Sequence, residues 1–290
     1  MITVLYPTCR GPHALADQPD LSQYDLLEMS LREQRFTDFE LIIVQDGPEA
    51  EHDVRGFGWL GDRFRVVRAR RTPWRDRGAF CPASARNRGL REARGDLVLG
   101  LDDCTSFDPF LLELAAGYAQ SQRYLSVVCY PAAREPPPRH QLVQPQSLAG
   151  GILSYPRERA LAVGGHEERF DGAMALEDWE FSARLGVSFY MDAAARVALH
   201  LHEGRRRLSF RCCHAVWALL RRQPRGNVPW TEEQRVAFGE WCPYAGERDG
   251  PNLHCGVNGG MCDHRERPDA EARAIIAGYE SAPWDPFGVD

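Results

Sequence analysis

The apolar positions of the first hundred residues fall in short, dense runs. "ITVLYP" (2–7), "ELIIVQD" (40–46), "FRVVRA" (64–69) and "DLVLGLDD" (96–103) are nearly continuous rather than alternating. Runs of this length and density predict strands covered on both faces. The intervening segments 21–34 and 84–95 read as helices, the second with Ser84 as N-cap and Gly95 as the stop just past its end. Strand, helix, strand in alternation predicts an α/β domain with a mainly parallel sheet. Such sheets bind ligands beyond the carboxyl ends of their strands. Pro7-Thr8, Asp46-Gly47 and Asp102-Asp103 all fall at such ends, so they define one edge and one expected site.

Further on the pattern changes. Residues 131–146 are rich in proline and glutamine and predict a loop. Residues 150–203 return to compact structure, with "EDWEFSARL" (177–185) as a helix carrying Phe181 and Leu185 on one face. After about 204 come two helical stretches, 208–222 and 231–241, and then a Gly- and Cys-rich loop. Two regions are expected: 1–203 as the α/β domain, and 204–290 as a helical, Cys-rich C-terminal extension on the substrate side or in a structural role.

Composition narrows the classes. No run of about 18 apolar residues exists, so no membrane span is expected. The N-terminus lacks a signal-peptide pattern, so the expected location is cytoplasmic, with the nine cysteines as thiols or ligands rather than a disulfide framework. The net charge of −6 argues against bulk coating of DNA. Every basic residue is arginine, and two clusters stand out, at 63–77 and 204–225. They are solvated faces with ordinary ion pairs, or they face phosphate, which the planar guanidinium suits.

Three constellations carry candidate chemistry. Asp102 and Asp103 end an apolar run, and adjacent carboxylates in a cleft call for a cation or a proton unless they merely cap a turn. Hard oxygen donors suit Mg²⁺ or Mn²⁺, which in turn bind diphosphates. Glu177 and Asp178 fit the first turn of a helix, where the macrodipole favours them, or offer a base for a substrate hydroxyl. His200 and His202 alternate on a predicted strand and share a face, as metal ligands or as satisfied buried histidines.

Taken together, "ITVLYPTCRGP", "LREQRFTDFELIIVQDGP", "SARNRGLREARGDLVLGLDD" and "VGGHEERFDGAMALEDWEFSARL" resemble a family 2 glycosyltransferase of the GT-A fold, over roughly residues 1–203. The resemblance implies transfer of a sugar from a nucleotide-sugar, a UDP-sugar first, to an acceptor hydroxyl, usually with Mn²⁺ or Mg²⁺. Pro7, Thr8 and Arg10 would line the nucleotide pocket; Asp46 would contact the base or ribose; Arg86 and Asn87 would shape the nucleotide site. Asp102 would match the first acid of the family's Asp-x-Asp motif, Asp178 the catalytic base with Glu177 beside it, and His200, or else His202, a histidine near metal or diphosphate.

Cys104 stands where the motif's last acid, the usual main metal ligand, is expected. A thiolate prefers softer ions than Mg²⁺. Three explanations compete: Asp103 takes over the ligand role; Asp102, His200 and the donor diphosphate hold the metal; or arginines of the 63–77 cluster replace it. A base at Asp178 attacking through the acceptor would invert the anomeric carbon, although similar relatives retain it. In the tail, Cys242, Cys255, Cys262 and His264, with His254 as a spare, offer a three-Cys, one-His structural zinc set at irregular spacing, or reduced thiols. The acceptor is a glycan, a small molecule or a hydroxylated base of DNA. The rivals are a non-catalytic nucleotide-sugar- or nucleic-acid-binding module with a decayed site, and nucleotidyl transfer. The second lacks its Gly-rich phosphate loop and its lysine.

Overall fold

The four apolar runs become four parallel strands. A computed structural model describes residues 1–9, 15–46, 54–70, 81–132, 144–146, 152–168, 171 and 177–200. Strand β1 (Ile2–Thr8) lies between β2 (Phe39–Gln45) and β4 (Leu97–Gly100), and β3 (Phe64–Arg68) flanks β2. All seven residues of β2 are buried, as expected for a strand covered on both faces. Glu40, inside that run, is satisfied by Thr3 Oγ1 at 2.7 Å, Arg65 Nη2 at 2.8 Å and the Arg94 amide at 2.6 Å.

Beyond β4 the sheet continues through β8 (Leu153–Pro156), β6 (Arg123–Pro131), β9 (Ser188–Leu199) and β5 (Thr105–Phe107). Here β6 and β9 run parallel, while β4–β8, β8–β6 and β9–β5 are antiparallel. A short β7 (Gln144–Gln146) pairs antiparallel with β9. The stretch 131–146 is therefore not all loop: its last three residues add to the sheet despite a central proline, which an edge strand tolerates.

Helices cover the sheet: α1 (Gln23–Arg32), α2 (Pro82–Glu92), α3 (Leu111–Gln120), α4 (Arg157–Ala162) and α5 (Glu177–Leu185). Among the described residues, no helix is long and apolar enough to cross a membrane. α1 starts with a capping box, Ser22 with Asp25. α5 has the predicted bounds, and its Phe181 and Leu185 are fully buried.

The ends of α2 correct the sequence reading. Its N-cap is Cys81, with Pro82 opening the helix, and Ser84 sits inside the first turn. The helix ends at Ala93 in an extended conformation, without a left-handed glycine stop. Gly95 serves another need: a Cβ there would lie 2.6 Å from the Thr3 amide nitrogen. The chain passes too close to β1 for any side chain.

Gly89 sets the height of α2 over the sheet. A Cβ at this position would lie 1.9 Å from Leu5 Cδ1 and 3.0 Å from Val44 Cγ2, both fully buried. Gly89→Ala is expected to lower the unfolding free energy by about 1–3 kcal/mol, because overpacking outweighs alanine's helix propensity. Urea unfolding reads the change; an unchanged or higher midpoint would mean that Leu5 has room to turn away.

Candidate functional site

Parallel pairing brings three strand ends together. The Asp46 amide donates to the Thr8 carbonyl at 2.7 Å, and the Leu101 amide to the Leu5 carbonyl at 2.9 Å. Thr8, Asp46 and the Asp102-Asp103 pair thus share one edge, with Pro7 half-buried beside them. The two adjacent carboxylates diverge. Asp103 is 9% exposed, and its Oδ2 lies 3.0 Å from Thr8 Oγ1. The Asp102 side chain is 39% exposed and accepts from Arg86 Nη2 at 2.9 Å.

Cys104 turns away from both. Its φ of 56° is the left-handed region, uncommon for a residue with a side chain. The thiol is fully buried in a small cluster with Leu15 and Leu26, and donates weakly to Gln23 Oε1 at 3.7 Å. The turn is fixed on both sides: the Cys104 amide donates to Tyr6 Oη at 3.0 Å, and its carbonyl accepts from the His200 amide at 2.9 Å. A residue here anchors the turn from below and does not face the site.

Arg86 gathers the acids. Its Nη2 holds Asp102, while Nη1 lies 2.8 Å from Asp178 Oδ1 and 3.3 Å from Glu177 Oε1. One positive charge faces three carboxylates, which leaves an excess of negative charge in a buried setting. Burial pulls the guanidinium down, but Asp178, Asp102 and Glu177 more than offset it, so Arg86 stays ionised above its ordinary value. Burial, against Arg86 and with Glu177 and Asp102 adding to it, pushes Asp178 up to about 8. Glu177 is raised too, chiefly by burial.

The helix that carries Arg86 is held by buried acids. Asp46 Oδ2 accepts from the Cys81 amide at 3.1 Å, and Asp171 Oδ1 from the Ala83 amide at 2.8 Å, with Oδ2 taking the Ser84 amide at 3.1 Å. These carboxylates satisfy the first amides of α2. Burial, Glu168 and Asp46 raise Asp171 well above the ordinary aspartate value, against those two amide bonds. Asn87 clasps the 164–168 turn: its Nδ2 donates to the His166 carbonyl at 2.9 Å and Glu168 Oε1 at 3.0 Å, and its Oδ1 accepts from the His166 amide at 2.7 Å. Arg70 pairs with the same Glu168, and Arg184 ties the Val163 and Gly165 carbonyls. Gln23, His166, Glu168 and Asp171 escaped the sequence reading. Acids beside the Gly164-Gly165 pair, where the chain must turn at positive φ, were the available signal.

Other expected residues lie elsewhere. The His200 ring faces Ser106 Oγ at 2.9 Å and Asp17 Oδ2 at 3.4 Å, and the residue follows the last position of β9. Arg10, His202, Cys242, Cys255, Cys262, His264 and the predicted helices 208–222 and 231–241 lie outside the described residues. Of the 63–77 arginine cluster, Arg63 holds the Thr37 and Phe39 carbonyls and Arg65 holds Glu40 and the Glu92 carbonyl. Among the described residues, no group of three His, Cys, Asp or Glu side chains is arranged to hold a metal ion.

Residues 29–170 match the family described as Glycosyl transferase family 2. Over that stretch, just under half of the chain, the sequence is similar to family 2 glycosyltransferases. Solved structures of S. aureus TarS are similar to the chain. One has a TM-score of 0.58 at 14% identity, covering 84% of this chain and 43% of that one. TarS 1–349 in complex with UDP-GlcNAc gives 0.58 at 15%, covering 82% and 70%. TarS 1–349 in complex with UDP gives 0.58 at 14%, covering 89% and 77%. At such identity the likeness concerns the fold, which is GT-A. This chain spans less than half of the first TarS chain. No curated protein matches the sequence.

Two predictions follow from buried groups at this site. Cys104→Asp would bury a carboxylate against Leu15 and Leu26, and is expected to cost about 3 kcal/mol or more in urea unfolding without tightening Mn²⁺ binding. A stable variant with tighter Mn²⁺ would show that position 104 does face the metal. His166 stacks on Phe181 at 3.8 Å, and neither ring nitrogen has a hydrogen-bond partner among the described residues. Burial, with Arg86 and Arg184, lowers it well below 6.5. Its neutral ring favours folding fully above that value, and the benefit is lost as pH falls, since the unfolded chain takes up a proton the folded chain refuses. The loss is about 1.4 kcal/mol per pH unit. His166→Phe should flatten the decline in stability between roughly pH 6.5 and 5; an identical slope in both proteins would place the titration elsewhere.

Proposed function

We propose that this domain moves a sugar from a UDP-sugar to an acceptor hydroxyl, with Asp178 as base and inversion at the anomeric carbon. One observation carries the reading: Asp102 at the end of β4 and Asp178 at the head of α5 meet on a single guanidinium. The donor end and the base end of the expected reaction therefore adjoin. The UDP and UDP-GlcNAc complexes of the structurally similar TarS 1–349 support the choice of donor.

The donor atoms here suit a hard cation. They are carboxylate oxygens with excess negative charge, and the thiol that would not suit it is turned into the core. The exposed Asp102 would hold Mn²⁺ or Mg²⁺, with Asp103 held back by Thr8. When bound, the ion would offset the charge of the leaving nucleoside diphosphate. Asp178 takes the acceptor's proton as its oxygen bonds to the anomeric carbon, and the bond from that carbon to the diphosphate oxygen breaks. Glu177 sits beside the base on the same guanidinium. Asp46 and Thr8 line the strand ends where the uridine and ribose would lie.

The rival readings gain no support from the described residues. Cys104 departs from the motif as a decayed site would, but its thiol is buried and has a structural task. Arg63, Arg65 and Arg70 are engaged within the domain rather than offered to nucleic acid.

The test is calorimetry with UDP, with and without Mn²⁺, followed by UDP release from UDP-GlcNAc. Metal-dependent binding is expected, weakened about tenfold or more by Asp102→Asn and less by Asp103→Asn. Asp178→Asn is expected to cut turnover by about 10²–10⁴ with UDP affinity kept. A raised Asp178 predicts that activity rises with pH through neutrality toward about 8 and is lost as the carboxylate protonates below it. Failure to bind UDP under any condition, or Asp178→Asn turning over normally, defeats the reading.

A further inference from the structure

Arg86 is expected from the family resemblance to shape the nucleotide pocket, but its surroundings suit a different task. The residue is 4% exposed, at the core of the site rather than on its wall. The two ends of its fork hold different elements: Nη2 reaches Asp102, just beyond β4, and Nη1 reaches Glu177 and Asp178, at the head of α5. Three carboxylates already exceed one guanidinium. A diphosphate drawn to Arg86 would meet those acids before it met an uncompensated positive charge.

We propose that Arg86 is a positioning residue, not a donor ligand: it fixes the acceptor-side base Asp178 at a set distance from the donor-side carboxylate Asp102. The proposal rests on the roles given to those two acids above. A guanidinium is planar, so its two ends hold both carboxylates in one frame. Asp178 is held through Oδ1, which leaves Oδ2 to take the proton. α2 in turn is immobilised by Gly89 against Leu5 and by Asp46 and Asp171 at its first turn, so the frame is tied to the sheet.

The decisive variant is Arg86→Lys, which keeps the charge but has a single head that cannot hold both sides. With UDP and Mn²⁺ in the calorimeter, its affinity is expected to stay within about threefold of wild type. In acceptor-free hydrolysis of UDP-GlcNAc, water replaces the acceptor, giving free sugar and UDP, and turnover is expected to fall about 10²-fold. A parallel loss of UDP affinity would make Arg86 a donor ligand and overturn the proposal, as would unchanged turnover. A second measurement needs no donor: unfolding midpoints of Asp102→Asn, Asp178→Asn and the double variant, in the wild-type and Arg86→Gln backgrounds. The two changes should be non-additive with Arg86 present and additive without it. Additivity in the wild-type background overturns the proposal even if Arg86→Lys fails to fold. If wild type binds no UDP while the cycle shows coupling, the glycosyltransferase reading fails and the bridge stands.

Discussion

The site depends on where α2 lies. That helix carries Arg86 and Asn87, and each reaches its partners only because the helix axis runs close to β1 and β2. Gly89 permits the approach, since any Cβ there would overlap Leu5. Two buried carboxylates then set its start: Asp46 arrives from the end of β2, and Asp171 from the segment before α5. Each is costly to bury and each is compensated by amides that a helix leaves unpaired at its start. Because these acids come from opposite sides of the chain, the helix cannot shift without breaking one of them. Asn87 extends the same bracing to the 164–168 turn, and Arg184 secures that turn from α5. The helix that carries Asp178 and the strand that leads to Asp102 thus share one mechanical reference.

Local patterns in the sequence were enough to place the first four strands and the helices α1, α2 and α5, but not the ends of α2. The four parallel strands and α5 were legible because their apolar spacing reports burial directly. The cap of α2 was not. Ser84 is a good capping residue by type, yet the cap is supplied from Asp46 and Asp171, far away in the chain, and Pro82 starts the helix two residues earlier. Gly95 looked like a helix stop because glycine usually has a backbone reason; here the reason is proximity to β1, which only the packed sheet reveals. Within the site, the acids at the strand end and the helix start were legible through their motifs. Their shared arginine pairing was not, since the sequence carries no distance between residues 86, 102 and 178.

Cys104 shows how a motif departure can mislead. Alone in the sequence it reads as a damaged metal ligand. In the fold, the chain enters the left-handed region at that position, and the side chain drops between Leu15 and Leu26. The acid pair before it splits accordingly, Asp103 toward Thr8 and Asp102 toward Arg86. The carboxylate that remains open at the edge is therefore Asp102.

The absence of lysine gains a partial physical account from the same contacts. Arg63 holds two carbonyls, Arg65 holds Glu40 and a carbonyl, Arg184 holds two carbonyls, and Arg86 holds carboxylates on both ends of its fork. Arg184 and Arg86 use both ends of the fork, two donors at a fixed angle on one rigid plane. A lysine ammonium is a point charge on a flexible stem and can satisfy one such partner well, not two in a frame. Among the described residues, these arginines act as internal brackets.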